Sequence, residues 1–182
     1  DDKRKAMVDE LSGGMKRRLM LVRGLMNDPE IVVLDEPTTG LDPQVRLNLW
    51  NKLEELRAQG KTLLMSTHYM DEAERLCDRL VIMDHGKVIA TGAPRALIRD
   101  NLPPLVIEAR AAVGEGARLE DAAQRLGLSA VRSADRVSVF VDDADEALGQ
   151  LREQGWRLET AFVRPANLED VFLKLTGRAL RE

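Results

Sequence analysis

The chain has 182 residues, of which 44% are apolar, and 27 basic against 31 acidic residues give it a formal net charge of −4. This length is enough for one medium-sized domain or two small ones with real cores. The mildly acidic balance argues against general nucleic-acid binding, and the short run Lys16-Arg17-Arg18 is interpreted as the solvated face of a helix. A single cysteine, Cys77, excludes an internal disulfide. No apolar run approaches the roughly 18 residues of a membrane span, so a membrane role would require a partner.

The first hundred residues alternate between helix and strand patterns. Helical spacing predicts a helix over residues 14–27, and the apolar run 31–34 predicts a strand buried on both faces of a parallel sheet. A helix over 43–59, with Gly60 at its C-terminus, then precedes a strand in "TLLMSTH". A helix in "MDEAERLCDR" and a hairpin in "RLVIMDHGKVIATG" follow. This order predicts an α/β layered domain over residues 1–100.

The pattern changes at "RDNLPPL", where Pro103-Pro104 indicates a linker. The following segments have the order strand, helix, two strands, helix, strand, with a turn near Ala134-Asp135 and a last strand in "RLETAFV"; a helix in "NLEDVFLKLTG" ends the pattern. This order predicts a small α+β, ferredoxin-like domain over residues 101–182. Valines alternating over 137–141 predict a half-solvated sheet. The carboxylates within 142–146 are interpreted as helix caps rather than metal ligands.

Two adjacent carboxylates, Asp35 and Glu36, end the first predicted strand. The carboxyl edge of a parallel sheet is where such folds bind ligands. Because successive strand residues face opposite sides, one acid could serve Mg²⁺ while the other reaches an attacking water. Mg²⁺ prefers one or two carboxylates completed by water and phosphate oxygens, which suits a nucleoside triphosphate site. His68 ends the next strand, and we expect it to lie beside these acids.

Two further stretches could contribute to binding an anion. Ser12-Gly13-Gly14 begins the first helix, where free N–H groups and the helix dipole attract negative charge and glycine permits close approach. The alternative is an ordinary serine N-cap. Asp42 precedes Pro43, and by itself this pair is more typical of an N-cap than of a functional site.

The stretches "LSGGMKRRL", "IVVLDEPTTGLDP" and "STHYMDEAE" resemble, in this order, the signature motif, Walker B strand with D-loop, and switch histidine of ABC-type ATPases. With the "HGKVIATG" hairpin, the resemblance covers about residues 8–100 and implies a partial P-loop NTPase domain. The variants resemble most the bacterial ABC-2 type exporter subfamily that includes daunorubicin-resistance and nodulation-factor proteins, in which Met15 in place of glutamine looks usual. The second half resembles the C-terminal extension of that subfamily in its secondary-structure pattern.

The resemblance implies a role for each residue that matches a motif. Glu36 would be the general base, and His68 would contact the γ-phosphate of ATP. Asp35 would organise Mg²⁺ through water. The residues implied at the contact with a second ATP-binding subunit are Ser12, Gly13 and Gly14, which would contact the γ-phosphate, and Asp42.

The resemblance also implies an ATPase subunit that works in a homodimer with a transmembrane permease, and that binds no nucleic acid. Such a subunit would be cytoplasmic and peripheral on the inner face of the cell membrane. Two other functions stay open at this point. One is a soluble ABC ATPase without a transport role, and the other is a non-catalytic interaction module that acts through the C-terminal domain.

No stretch matches the G-x-x-x-x-G-K-[ST] phosphate loop, known as Walker A, which lies between a strand and a helix. The triplet Gly60-Lys61-Thr62 has Glu55 at the first glycine position and lies after a helix and before a strand, so it is interpreted as a helix cap and turn. The Walker A loop supplies much of the charge stabilisation in phosphoryl transfer. We therefore expect this sequence to be the C-terminal portion of a longer subunit, and the 182-residue chain alone to be inactive.

Overall fold

The computed structural model describes residues 7–110, 115–133, 136–156 and 161–177. Its contacts divide the chain into two units, Asp1–Leu76 and Cys77–Glu182, which are described separately. The predicted domain boundary near residue 100 stays a prediction. Among the described residues, no helix combines the length and apolar character needed to cross a bilayer.

The first unit pairs two parallel strands, as the alternating pattern predicts. Its elements are a 3-10 turn (Val8–Glu10), helix α1 (Gly13–Leu25), strand β1 (Ile31–Asp35), helix α2 (Pro43–Ala58), strand β2 (Thr62–Ser66) and helix α3 (Met70–Leu76). Gly60 follows α2 with φ +87°, a left-handed conformation that glycine adopts without strain.

One face of α2 forms the core of this unit. Leu49, Leu53 and Leu56 are buried, as the helical spacing predicts, and they cluster with Leu41 and Leu76. Burying a leucine side chain stabilises a fold by about 1.5–3 kcal/mol. The cluster therefore packs α2 against the segment after β1 and against the end of α3.

The prediction that the strands are buried on both faces is wrong in this structure. Val32 is 8% exposed, whereas Ile31, Val33 and Leu64 are 63%, 70% and 63% exposed. Side chains alternate across a strand, so the odd positions of β1 share one face. The inward side chains meet the leucine cluster, but nothing among the described residues covers the outer face. An apolar run predicts a strand, but it cannot specify which faces are covered.

The second unit begins with a hairpin and continues into a four-stranded sheet. Its elements are β3 (Leu80–Asp84), β4 (Lys87–Gly92), α4 (Pro94–Asn101), β5 (Leu105–Arg110), α5 (Gly116–Arg125), β6 (Ser129–Ser133), β7 (Arg136–Val141), α6 (Ala144–Glu153), β8 (Phe162–Pro165) and α7 (Leu168–Thr176). The predicted hairpin is confirmed, and its turn residues His85 and Gly86 both have positive φ, as a type I′ turn requires. Helix α4 was not predicted, and it includes the start of the stretch interpreted as a linker.

The four-stranded sheet has the order β6-β7-β5-β8 with every pair antiparallel. Together with the chain order, this arrangement confirms the predicted ferredoxin-like pattern. The predicted turn at residues 134–135, and the start of the last predicted strand at 157–160, lie outside the described residues. Asp143 caps α6 by accepting from the N–H groups of Asp145 and Glu146, which confirms the cap interpretation.

The central strands of this sheet, β5 and β7, are buried on both faces rather than half solvated as predicted for residues 137–141, whereas the edge strands β6 and β8 are largely exposed. Val137 and Val139 pack in a cluster with residues of α5 and α6, while Val106 and Phe140 on the opposite face are 0% and 1% exposed. The alternating valines predicted that the opposite face is exposed to solvent. Phe140, which lies between Val139 and Val141, is on that opposite face and is buried there.

A buried charge network joins the last strand to the last helix. Arg164 donates to both carboxylate oxygens of Asp170, at 2.6 and 2.8 Å, and to Glu108 at 3.0 Å. Glu108 also accepts from Arg136. The hydrogen bonds that Arg164 donates to Asp170, and secondarily to Glu108, raise its pKa above the ordinary value. The network is the main polar tie between β8 and α7 in the described residues.

Candidate active site

The backbone of Glu36 adopts an unusual conformation directly after β1. Its φ is +43°, a region that is sparsely populated by residues with a Cβ. Its N–H donates to the carbonyl oxygen of Ser66 at 3.1 Å and to the Ser66 hydroxyl at 3.2 Å. Its carbonyl oxygen accepts from Arg17 Nη2 at 2.8 Å and from the Thr39 N–H at 3.3 Å. Contacts at both peptide groups thus hold this residue in place.

The carboxylate of Glu36 lies between two side chains. Thr39 Oγ1 donates to Oε2 at 3.1 Å, and His68 Nδ1 lies 3.2 Å from Oε1. An ionised carboxylate only accepts hydrogen bonds, so Nδ1 carries the proton in this pair and Nε2 is left to contact another group. The side chains of Glu36 and His68 are 45% and 38% exposed, and both remain accessible to a ligand. The structure confirms the expectation that His68 lies beside the acids.

Asp35 lies at the same edge of the strand pair. The parallel register places it opposite Ser66, and the Ser66 hydroxyl donates to Asp35 Oδ1 in a short hydrogen bond. The Asp35 residue is exposed. Among the described residues, no three or more His, Cys, Asp or Glu side chains are grouped to hold a metal. An exposed carboxylate beside a hydroxyl fits Mg²⁺, which takes few protein ligands and completes its shell with water and phosphate oxygens.

The start of α1 combines an N-cap with an open approach. Ser12 Oγ accepts from the Met15 N–H at 3.3 Å, which is the N-cap contact. A Cβ at Gly13 would meet nothing within 4 Å, so a ligand can approach the backbone there. A Cβ at Gly14 would lie 3.3 Å from the Val45 side chain. Gly14 therefore also permits close packing of α1 against α2, a role that the sequence pattern does not reveal.

Asp42 caps α2, since its Oδ1 accepts from the Val45 N–H at 2.9 Å and Pro43 opens the helix. This confirms the cap interpretation, and the exposed residue remains accessible. Within the described part of this unit, neither Ser12 nor Asp42 shares a hydrogen bond with Glu36 or His68. The structure thus brings the acids and the histidine together and leaves the two helix caps as a separate group.

Sequence reasoning missed three residues that contact the acids, namely Arg17, Thr39 and Ser66. Ser66 could have been found because it ends a strand parallel to β1. Thr39 is three residues from Glu36, a spacing that a turn after the strand brings into contact. The interpretation of Lys16-Arg17-Arg18 as a solvated helix face is wrong for Arg17. This residue is half-buried and donates a hydrogen bond to the Glu36 carbonyl.

The Gly60-Lys61-Thr62 triplet has a local structural role. Lys61 Nζ contacts Asp28 Oδ1 at 2.5 Å and the Asp28 carbonyl oxygen at 3.2 Å. The lysine therefore ties two loops at the N-terminal ends of β1 and β2. This confirms the interpretation of the triplet as a cap and turn rather than a phosphate loop.

Two protein families match separate parts of the sequence. The ABC transporter family matches residues 1–39, and the C-terminal domain of the nodulation factor export protein NodI matches residues 116–177. The Nod factor export ATP-binding protein I of Burkholderia lata is 48% identical over 183 aligned positions, which cover 100% of this chain and 59% of the relative. The protein of the same name from Mesorhizobium japonicum is 46% identical, with 97% of this chain and 51% of the relative covered.

A partial likeness also exists to solved structures. The crystal structure of the ADP conformation of an ATP-binding cassette of an ABC transporter is 35% identical, with a TM-score of 0.46, covering 53% of this chain and 39% of that chain. The present chain spans 59% of the length of the Burkholderia lata relative that it matches.

The sequence matches, with the strand-edge acids in an α/β layer, make the chain similar to the ATP-binding proteins of ABC transporters. Within that class it is similar over its whole length to the Nod factor export ATP-binding proteins. The expected resemblance to the exporter subfamily is therefore confirmed for both halves of the chain.

Proposed function

We propose that this chain supplies the general base, the phosphate-sensing histidine and the signature motif of an ATP-hydrolysing ABC exporter subunit. The observation that carries the proposal is the half-exposed carboxylate of Glu36, which Thr39 and His68 orient at the carboxyl edge of two parallel strands. Similarity over the whole chain to Nod factor export ATP-binding proteins supports the exporter role.

Glu36 would accept the proton of the water that attacks the γ-phosphate. A positioned general base contributes about 10²- to 10⁴-fold to a rate. Thr39 and His68 each occupy one carboxylate oxygen and so limit the rotation of the side chain. With Nδ1 donating to Glu36, the Nε2 atom of His68 is the one to contact the γ-phosphate.

Asp35, through water, and the hydroxyl of Ser66 would hold Mg²⁺. The bound ion would neutralise charge on the phosphates of ATP. Two subunits would pair so that Ser12, Gly13 and Gly14 of one approach the γ-phosphate bound by the other. The open backbone at Gly13 and the helix N-terminus there suit an anion. Asp42, exposed at the start of α2, would lie at the same subunit contact.

A transmembrane permease would be the further partner, and the subunit would act on the cytoplasmic face of the membrane. Closure of two subunits around ATP would drive the permease. The 182 residues contain no phosphate loop, and we propose that the chain by itself does not hydrolyse ATP.

The test uses a chimeric subunit, in which the phosphate-loop half of an ABC ATP-binding protein precedes residue 1 of this chain. We expect steady-state ATP hydrolysis by the chimeric subunit and none by the 182-residue chain. Glu36→Gln should abolish hydrolysis while ATP binding persists, and Glu55→Gln, at an exposed position of α2, should leave it unchanged.

Two results would contradict these proposals separately. Hydrolysis by the chimeric subunit that survives Glu36→Gln would overturn the role of the base. Glu36-dependent hydrolysis by the 182-residue chain alone would leave that role intact and overturn only the proposed inactivity of the isolated chain.

A further inference from the structure

Arg17 connects helix α1 to the residue proposed as general base. We infer that Arg17 is a positioning residue, which couples the location of α1 to the backbone conformation of Glu36 and hence to the hydrolysis rate. The inference rests on the proposed function and adds to it a residue outside the matched roles.

The conformation of Glu36 requires external support. A non-glycine residue at φ +43° persists only where its surroundings hold it. Part of that support comes from Ser66, the last residue of β2, and from Thr39 in the turn after β1. In the described residues, Arg17 is the support that comes from α1, through a 2.8 Å hydrogen bond from its charged guanidinium to the Glu36 carbonyl.

Helix α1 is attached by little apolar packing. None of its residues is buried. Leu21 and Leu25 are partly buried against the leucine cluster, whereas Met20 and Val22 are 55% and 59% exposed. Small displacements of α1 therefore cost little core contact, and a charge-assisted hydrogen bond is a strong link by comparison.

Arg17 lies in the same helix as the residues proposed to bind the partner's ATP. It lies about one helical turn beyond Gly14, and so moves with the backbone N–H groups proposed to meet the partner's ATP. Its neighbours in the basic run do not share the contact, since Lys16 reaches the Asp9 carbonyl and Arg18 is exposed. Engagement of α1 by phosphate would thus stabilise the working conformation of Glu36 through Arg17.

Losing the link should affect the chemical step rather than nucleotide binding. Without Arg17, Glu36 can relax toward ordinary φ, which rotates its carboxylate away from Thr39 and His68. The residues proposed to bind ATP and Mg²⁺ are unchanged. The expected result is a lower kcat with an unaltered KM for ATP, a split that general loss of folding does not produce.

The test compares Arg17→Met, Arg17→Lys and Arg23→Met in the chimeric subunit, using kcat, KM and ATP-dependent dimerisation. Arg17→Met should lower kcat by roughly tenfold with KM and dimerisation retained. Arg17→Lys keeps a charged donor and should recover part of the rate. Arg23→Met alters an exposed arginine of the same helix and should match the unmodified protein.

The outcomes separate this inference from the proposed function. If the unmodified chimera hydrolyses ATP through Glu36 and Arg17→Met keeps kcat within about twofold, only the coupling is overturned. If kcat/KM falls only because KM rises, with kcat unchanged, the coupling is also overturned. If Arg17→Met fails to fold, the Arg17→Lys variant decides. A lowered kcat at constant KM in that variant supports the coupling. An unchanged kcat in a variant whose lysine makes no hydrogen bond to Glu36 overturns it. Absence of Glu36-dependent hydrolysis in the unmodified chimera overturns both proposals.

Discussion

Residues 7–76 and the four-stranded sheet of the second unit differ in how far their charged and apolar side chains are exposed to solvent. In the first region the acids and His68 are half exposed, and Val33 and Leu64 project from an uncovered sheet face. In the second, the central strands β5 and β7 are buried on both faces, and Glu108 and Asp170 are buried with arginine partners. The region whose groups are proposed to meet other molecules keeps them accessible, whereas the second region completes its core from its own residues.

The chain offers a probe for each region. Its two tryptophans, Trp50 and Trp156, pack against the separate clusters of the first and second units. Replacing either one with phenylalanine leaves a fluorescence signal that reports on one unit during unfolding in urea. The following changes test the contrast from the largest expected effect to the smallest.

Arg164→Met should destabilise the second unit most. It leaves Glu108 and Asp170, at 8% and 2% exposure, without their shared cation. Removing one partner of a buried ion pair costs about 3–5 kcal/mol. Urea unfolding followed by Trp156 measures the change in the free energy of unfolding. Arg132→Met, which breaks a 3.6 Å pair with Glu120 at a half-exposed side chain, is the control and should cost less than about 1 kcal/mol. Equal losses would show that the network stabilises the fold no more than the half-exposed pair does.

Leu53→Ala should destabilise the first unit by about 2–5 kcal/mol, because it opens a cavity in the leucine cluster. Leu53 is 1% exposed, whereas Leu47 on the same helix is 41% exposed and gives the matched control Leu47→Ala. The Trp50 transition should shift and the Trp156 transition should stay in place. A joint shift of both signals would contradict the expectation that only the first unit is destabilised.

Thr39→Val should slow ATP hydrolysis by the chimeric subunit by roughly fivefold, about 1 kcal/mol of lost orientation at Glu36. The substitution removes the hydroxyl that donates to Glu36 Oε2 and nearly preserves the volume. Thr39→Ser keeps the hydroxyl and should retain most of the rate. A serine variant as slow as the valine variant would assign the effect to the methyl group instead.

Leu64→Thr should leave the free energy of unfolding of the isolated chain within about 0.5 kcal/mol, since surface substitutions away from special features are nearly neutral. Leu64 is 63% exposed and threonine keeps a high strand propensity. The Trp50 transition measures this change. A loss of several kcal/mol would show that the outer face of the sheet is covered in solution.

Most of the elements could be predicted because they depend on local pattern. The spacing of leucines in α2, the turn at His85-Gly86 and the strand-helix order of the second half were confirmed by the structure. The wrong predictions concern which faces of the strands are covered by other elements. Apolar alternation at 137–141 and the apolar run at 31–34 indicate strands, but which face of each strand is covered depends on how other elements pack against it.

The sequence by itself determined most local features of the site: Asp42 as a helix cap, and Asp35, Glu36 and His68 at strand ends, while Ser12 stayed open between an anion site and an N-cap. These follow from turn chemistry and periodicity within a few residues. Only the tertiary structure decided that Arg17 reaches the Glu36 carbonyl and that His68 reaches its carboxylate, across 19 and 32 positions of sequence. Such contacts depend on the register of β1 with β2 and on the packing of α1, which no local pattern encodes.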